Sequence, residues 1–209
     1  MEIRLIHEQH EKINDMNKQI SELSKSPKIK AGEYSDQIDE TVTYEYIKDS
    51  GFHVIDIDLS EEMQAYTYAL CESYAIDYSL VLAVMEQESG FDADLISSTN
   101  DYGLMQINKC NHIWISNELG VSNFLDEKQN ATAGVYILAN LFEKYNDIHR
   151  VLMSYNMGEY GARKLWENGI RSSKYSRAVL ERQKKIKKIE QRDVKVWDSI
   201  GQNTSVKTK

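Results

Sequence analysis

Apolar positions along the chain fall into runs whose period shifts from helical to alternating and back to helical. In residues 1–25, Ile6, Ile13 and Ile20 stand seven apart, with Met16 and Leu23 three residues after the last two. That spacing predicts a helix with a narrow apolar seam. About three heptads are marginal alone, so the seam predicts either docking on the body or weak self-association. Residues 26–58 read as a linker, broken first by Ser26, Pro27, Gly32 and Ser35. Two alternating stretches follow, 41–47 and 52–58, around Lys48-Asp49-Ser50-Gly51. They fit a hairpin and an extended connector equally.

From Ser60 the pattern is helical almost to the end. Ser60 before Glu61-Glu62-Met63 is an N-cap start, and Tyr66, Ala69, Leu70, Ser73 and Tyr74 form a 3.6-residue stripe. After a turn at 77–79, residues 80–88 are apolar nearly all round, which predicts a helix central to a domain. Gly90 is placed to end it, and a polar loop covers 92–101. Further helices are expected over 111–119, from an Asp126 cap through Ala131, Val135, Leu138 and Tyr145, and from an Asp147 cap through 149–156. Gly158 and Gly161 interrupt before 162–167, and a last helix runs from Tyr175 to about Arg192. The expected fold is mainly α, with a small polar loop and strand region.

One proline and ten glycines in 209 residues suit such a helical protein. The net charge of −8 is uneven: residues 181–209 hold nine Lys/Arg against four Asp/Glu, a net of +5, which leaves −13 for the rest. The basic end reads first as a solvated helix face, with an anionic polymer as the alternative contact. An acidic body with no recognisable nucleic-acid module argues against a nucleic-acid partner. Cys71 lies on an apolar helix face and Cys110 in a polar segment; two cysteines make no disulfide framework, and a single bridge is the less favoured reading. The first residues lack the basic start and apolar run of a secretory signal, and no stretch approaches the ~20 apolar residues of a membrane span. The five histidines are scattered, so no metal or organic cofactor is expected.

The chemical anomaly is Glu88, a carboxyl in register with Val81, Val84 and Met85 at the end of the apolar helix. Burial raises the proton affinity of a carboxyl, as a general acid for glycoside cleavage needs. A structural acid bonded to backbone amides or a tyrosine would look the same on position alone.

Three segments decide between these readings: Glu88-Ser89-Gly90-Phe91, Gly103-Leu104-Met105-Gln106-Ile107 and Ser154-Tyr155-Asn156-Met157-Gly158. In this order and spacing they resemble the lysozyme-like soluble lytic transglycosylases of bacteria and their phages, over about residues 60–182. The resemblance implies an α+β lysozyme-like domain over 59–182; the helical pattern and the charge of the chain itself add a basic helical extension over 183–209 with a flexible end after Ile200. The resemblance implies cleavage of the β-1,4 bond between N-acetylmuramic acid and N-acetylglucosamine in peptidoglycan strands, without water, leaving a 1,6-anhydromuramoyl end. It also implies action at the bacterial cell wall. Glu88 matches the single acid and base of that family. Ser97 matches a serine contacting substrate, Met105 and Gln106 a strip lining the cleft, Tyr155 and Asn156 a pair facing the glutamate, and Tyr175 a further wall of the groove.

Two departures stand out. Many members carry an acidic residue shortly before the position of Tyr175, where this chain has Arg171-Ser172-Ser173-Lys174. Asp101 before Tyr102-Gly103 resembles the second carboxylate of animal lysozymes, and two carboxylates about 5–5.5 Å apart permit hydrolysis through a covalent intermediate. Hydrolysis using Glu88 and Asp101 is therefore the second reading. A wall-binding component of a secretion, conjugation or phage assembly is a third.

Overall fold

The computed structural model describes residues 52–204, with 194–204 described by backbone alone. The helix and self-association seam expected at 1–25 and the alternating stretch at 41–47 lie outside these residues. Six α-helices and one two-stranded ribbon are described: α1 Glu61–Tyr74, α2 Tyr78–Glu88, β1 Asp101–Tyr102, β2 Ile107–Asn108, α3 His112–Leu119, α4 Glu127–Lys144, α5 Ile148–Glu167 and α6 Lys174–Thr204. A 3₁₀ turn, Lys109–Asn111, joins β2 to α3. None of the described helices is long and apolar enough to cross a membrane.

The helices start where their caps place them. Ser60 Oγ accepts from Met63 N, Asp126 Oδ1 from Gln129 N and Asp147 Oδ1 from Arg150 N, each satisfying an orphan donor of a first turn. Gly158 takes φ 72° and ψ 156° inside α5, which breaks the rod into the two expected pieces. The alternating residues 52–58 form no strand. Instead the buried Gln64 side chain of α1 binds Ile55 N and Ile55 O, at 2.9 and 3.0 Å, and Leu59 O at 2.8 Å. That clamp seats Ile55 and Leu59 in the core and uses the backbone groups a ladder would need.

The core wraps α2. Residues 81–85 have no exposed surface, and burying each of the larger side chains stabilises by roughly 1.5–3 kcal/mol. The helix ending at Glu88 is therefore firmly held. Helix α6 lies along it, joined by Gln183 Nε2 to Ser79 Oγ at 3.2 Å and Lys187 Nζ to Asp77 Oδ2 at 2.7 Å. It runs unbroken past the domain boundary expected at 182/183, with Ile186 only 1% exposed, so this part of the extension belongs to the core. The apolar stripe of α6 carries the helix inward while Lys184, Lys185 and Lys188 stay exposed. Cys71 is buried and Cys110 exposed, and both are free thiols.

Candidate active site

Glu88 is the last residue of α2, so its carboxyl stands at the negative end of the helix dipole, a position that disfavours its ionised form. It is half-buried. Burial pushes its pKa up to about 7, a hydrogen bond from Tyr175 pulls the other way, and the Asp101 charge adds to the rise. Tyr175, in the first turn of α6, donates its hydroxyl to Glu88 Oε1 at 2.5 Å. Burial, and then the Glu88 charge, hold the Tyr175 phenol well above its ordinary value, so it remains a donor.

Tyr155 comes from the first half of α5. Its hydroxyl donates to Met105 O at 2.8 Å and not to Glu88. Burial raises its pKa strongly, with further contributions from the Glu88 and Asp101 charges. Of the two tyrosines, Tyr175 thus donates to the glutamate, while Tyr155 holds the turn between β1 and β2. Asn156 beside it is exposed.

The β1–β2 ribbon is antiparallel, with Asp101 opposite Asn108 and Tyr102 opposite Ile107. It is anchored from behind by Asn130, buried in α4. Asn130 Oδ1 accepts from Met105 N at 2.8 Å, and Nδ2 donates to Tyr102 O and Phe124 O, each at 2.7 Å. Ser89 Oγ donates to Leu104 O at 2.8 Å and ties the ribbon to the end of α2. Gly103 has φ +72°, and a Cβ there would stand 2.5 Å from Asn130 Nδ2 and 2.8 Å from Phe124 O. Only glycine meets both demands without strain.

Two residues expected at the substrate are held by their own surroundings. Met105 has no exposed surface; its side chain fills the space left by Gly134 of α4, so it supports the ribbon from behind instead of lining the cleft. Ser97 donates its hydroxyl to Asp101 Oδ2 at 2.7 Å and accepts from the Thr99 and Asp101 amides, so its hydrogen-bonding capacity is spent within the loop. Gln106, at φ 47°, donates both amide hydrogens inward, to Leu95 O at 3.0 Å and Gly103 O at 2.9 Å. Its Oε1 is left as the group that can accept from a ligand.

Asp101 accepts from Ser97, from Thr99 Oγ1 and, through Oδ1, from Asn108 Nδ2 at 2.7 Å. Burial works to raise its pKa, but these three hydrogen bonds outweigh it and the net direction is down. The site therefore pairs a carboxyl whose proton affinity is raised with one whose proton affinity is lowered. Sequence patterns did not single out Asn130, although an Asn among the apolar residues of α4 was a usable signal, and they gave Ser89 only a place in a motif and no part of its own. Among the described residues, no three or more His, Cys, Asp or Glu side chains cluster so as to hold a metal ion.

The chain is similar to known proteins in sequence and in fold. The family model described as Transglycosylase SLT domain matches residues 66–177. The chain is 32% identical over 126 residues to the membrane-bound lytic murein transglycosylase F of Desulfosudis oleivorans, covering 57% of this chain and 27% of the relative. It is 30% identical over 90 residues to the transglycosylase of Enterobacteria phage PRD1, covering 43% of this chain and 32% of the relative. The chain thus spans about a quarter to a third of the length of the curated relatives it matches. The X-ray structure of the lytic transglycosylase Slt from Pseudomonas aeruginosa matches with a TM-score of 0.51 at 19% identity, over 57% of this chain and 23% of that one, which is a likeness of fold.

Proposed function

The chain belongs to the transglycosylase SLT domain family, and on that premise we propose that it is a peptidoglycan lytic transglycosylase with Glu88 as its single general acid and base. The observation that carries the proposal is the half-buried Glu88 at the end of α2, with a pKa near 7 and a Tyr175 hydrogen bond. Such a carboxyl has both protonation states within reach at neutral pH, as one group serving two proton transfers requires.

The substrate is the glycan strand of peptidoglycan and the place of action is the bacterial cell wall. Protonated Glu88 gives its proton to the glycosidic oxygen between N-acetylmuramic acid and N-acetylglucosamine, and the bond from the muramoyl anomeric carbon to that oxygen breaks. The muramoyl 6-hydroxyl oxygen then attacks the anomeric carbon, and its proton passes to the Glu88 carboxylate. Glu88 returns to its starting form, no water is consumed, and the product carries a 1,6-anhydro ring. Gln106 Oε1 accepts from an N-acetyl N–H or a sugar hydroxyl. Asn156, exposed beside Tyr155, supplies a further polar contact. Tyr175 keeps Glu88 oriented through both steps.

A second reading, hydrolysis, rests on Asp101, an ionised carboxylate whose charge reaches Glu88. The hydrogen bonds to Asp101 favour a structural part for it. Oδ2 accepts two hydroxyls and Oδ1 an amide, which ties residues 97–101 to β2 and blunts either oxygen as a nucleophile. The two variants Glu88→Gln and Asp101→Asn separate the readings when muropeptide release from purified cell walls is measured. The transglycosylase reading predicts loss of about 10²–10⁴-fold for Glu88→Gln and less than about tenfold for Asp101→Asn. Comparable losses in both would favour hydrolysis. Binding of walls by the wild-type protein without release would remove the enzyme reading altogether.

A further inference from the structure

Tyr175 owes its place to the first turn of α6. That turn is closed by a reciprocal pair: Ser176 N donates to Ser173 Oγ at 3.0 Å, and Ser173 N donates to Ser176 Oγ at 3.0 Å. This is a capping box with serine standing where glutamate or glutamine is usual. Ser176 is 0% exposed, yet its hydroxyl has a third neighbour from another helix. His149 Nδ1, in the first turn of α5, lies 2.9 Å from Ser176 Oγ. The Ser176 hydroxyl also reaches Ser173 O at 3.2 Å. The family resemblance would put an acidic residue shortly before the tyrosine. Here that stretch is Arg171-Ser172-Ser173-Lys174, and two serines and a histidine hold the turn.

We propose that His149 is a positioning residue for the reaction, acting through Ser176 to set the first turn of α6 so that the Tyr175 hydroxyl meets Glu88. The proposal rests on the reading of Glu88 as the acid and base. A polar atom on α5 is well suited to the task. The first turn of α5 is fixed by the Asp147 cap, and Val151 and Leu152 behind it are fully buried. The same helix carries Tyr155, which holds the Met105 carbonyl. Helix α5 thereby reaches two parts of the site: the Met105 carbonyl directly through Tyr155, and Glu88 through His149, Ser176 and Tyr175. A serine hydroxyl both donates and accepts, so the contact forms with either ring tautomer of His149. It is a fixed strut. The groups that bear electrostatically on Glu88 are Tyr175 from α6, Asp101 from β1 and Tyr155 from α5. Of these, Tyr175 is the one that donates a hydrogen bond to it.

The test uses the full chain and the variants His149→Leu, His149→Asn and Ser176→Ala, each in the wild-type and the Tyr175→Phe background. Two quantities are read: kcat for muropeptide release, and the titration of the Glu88 carboxyl followed by NMR with ¹³C-labelled glutamate. His149→Leu is expected to lower kcat roughly three- to tenfold with KM little changed, the scale of one misplaced hydrogen bond. It should move the Glu88 titration upward, in the same direction as Tyr175→Phe, because the lost donor had been holding it down. Ser176→Ala should do the same. His149→Asn places a polar atom where Nδ1 stood and should restore both quantities. In the Tyr175→Phe background, His149→Leu should have no further effect. An equal loss in that background, or a Glu88 titration unmoved by either His149→Leu or Ser176→Ala, would overturn the proposal. Failure of the underlying reading would look different: Glu88→Gln would stay active, while the carboxyl titration would still report whether His149 governs the Tyr175–Glu88 bond.

Discussion

Replacing Glu88 by glutamine removes the charge and keeps the shape, so it isolates what ionisation of this group costs the fold. In the folded protein the carboxyl titrates near 7, chiefly because of burial, against an ordinary value of 4.5. The unfolded chain ionises first as pH rises, so between these values protons are bound more tightly by the folded state and stability falls. The folded pKa is raised, so the effect is absent below about pH 4.5 and complete above about pH 7. At roughly 1.4 kcal/mol per unit, the mismatch amounts to about 3 kcal/mol. The glutamine variant has no such proton to lose and should gain on the wild type by about that amount between pH 4 and pH 8. For a protein of this size, ~3 kcal/mol corresponds to a change of roughly 6–12 °C in the Tm difference. Thermal melts of the two proteins, followed by calorimetry at pH 4 and pH 8, measure it; pH effects from other groups cancel in the difference. A Tm difference that stays the same at both pH values would refute the reasoning.

Two further predictions concern the β1–β2 ribbon. Asn130→Ala removes one donor and one acceptor group serving three bonds, those to Met105 N and Phe124 O buried and that to Tyr102 O part-buried, and should cost on the order of 3 kcal/mol, read as a lower urea midpoint at unchanged m-value. Gly103→Ala adds a Cβ at positive φ against Asn130 and Phe124 O. It should lower stability by at least about 2 kcal/mol and reduce muropeptide release even where the protein remains folded.

Most of the helical frame was legible because the helices are amphipathic or wholly apolar and several carry their own caps. Asp126 and Asp147 mark their helices in the sequence and cap them in the structure. Residues 52–58 were legible only as one of two alternatives, a hairpin or an extended connector, and the structure forms no strand there. Alternation is shared by strands and by any segment that inserts every second or fourth side chain into a core, and only the Gln64 clamp distinguishes them. Glu88 stood out because a carboxyl at the end of an apolar helix is costly, and the motif spacing brought Tyr155 and Tyr175 to the same place. Which tyrosine binds it depends on how α5 and α6 pack, over a separation of 87 residues in the case of Tyr175, and no local pattern encodes that. Met105 and Ser97 show the same limit. Motif position put both in the cleft, yet a glycine on α4 draws Met105 inward and the Asp101 carboxylate occupies Ser97. The basic character of the C-terminal residues was visible, but not that α6 would lay Ile186 against the core beneath it.

The most direct test of single-carboxylate transglycosylation is mass spectrometry of the muropeptides that the purified protein releases from cell walls. Products ending in 1,6-anhydromuramic acid, lost in Glu88→Gln and retained in Asp101→Asn, are the predicted result. Products ending in reducing N-acetylmuramic acid, one water heavier and lost in both variants, would contradict it and assign the second step to water and Asp101.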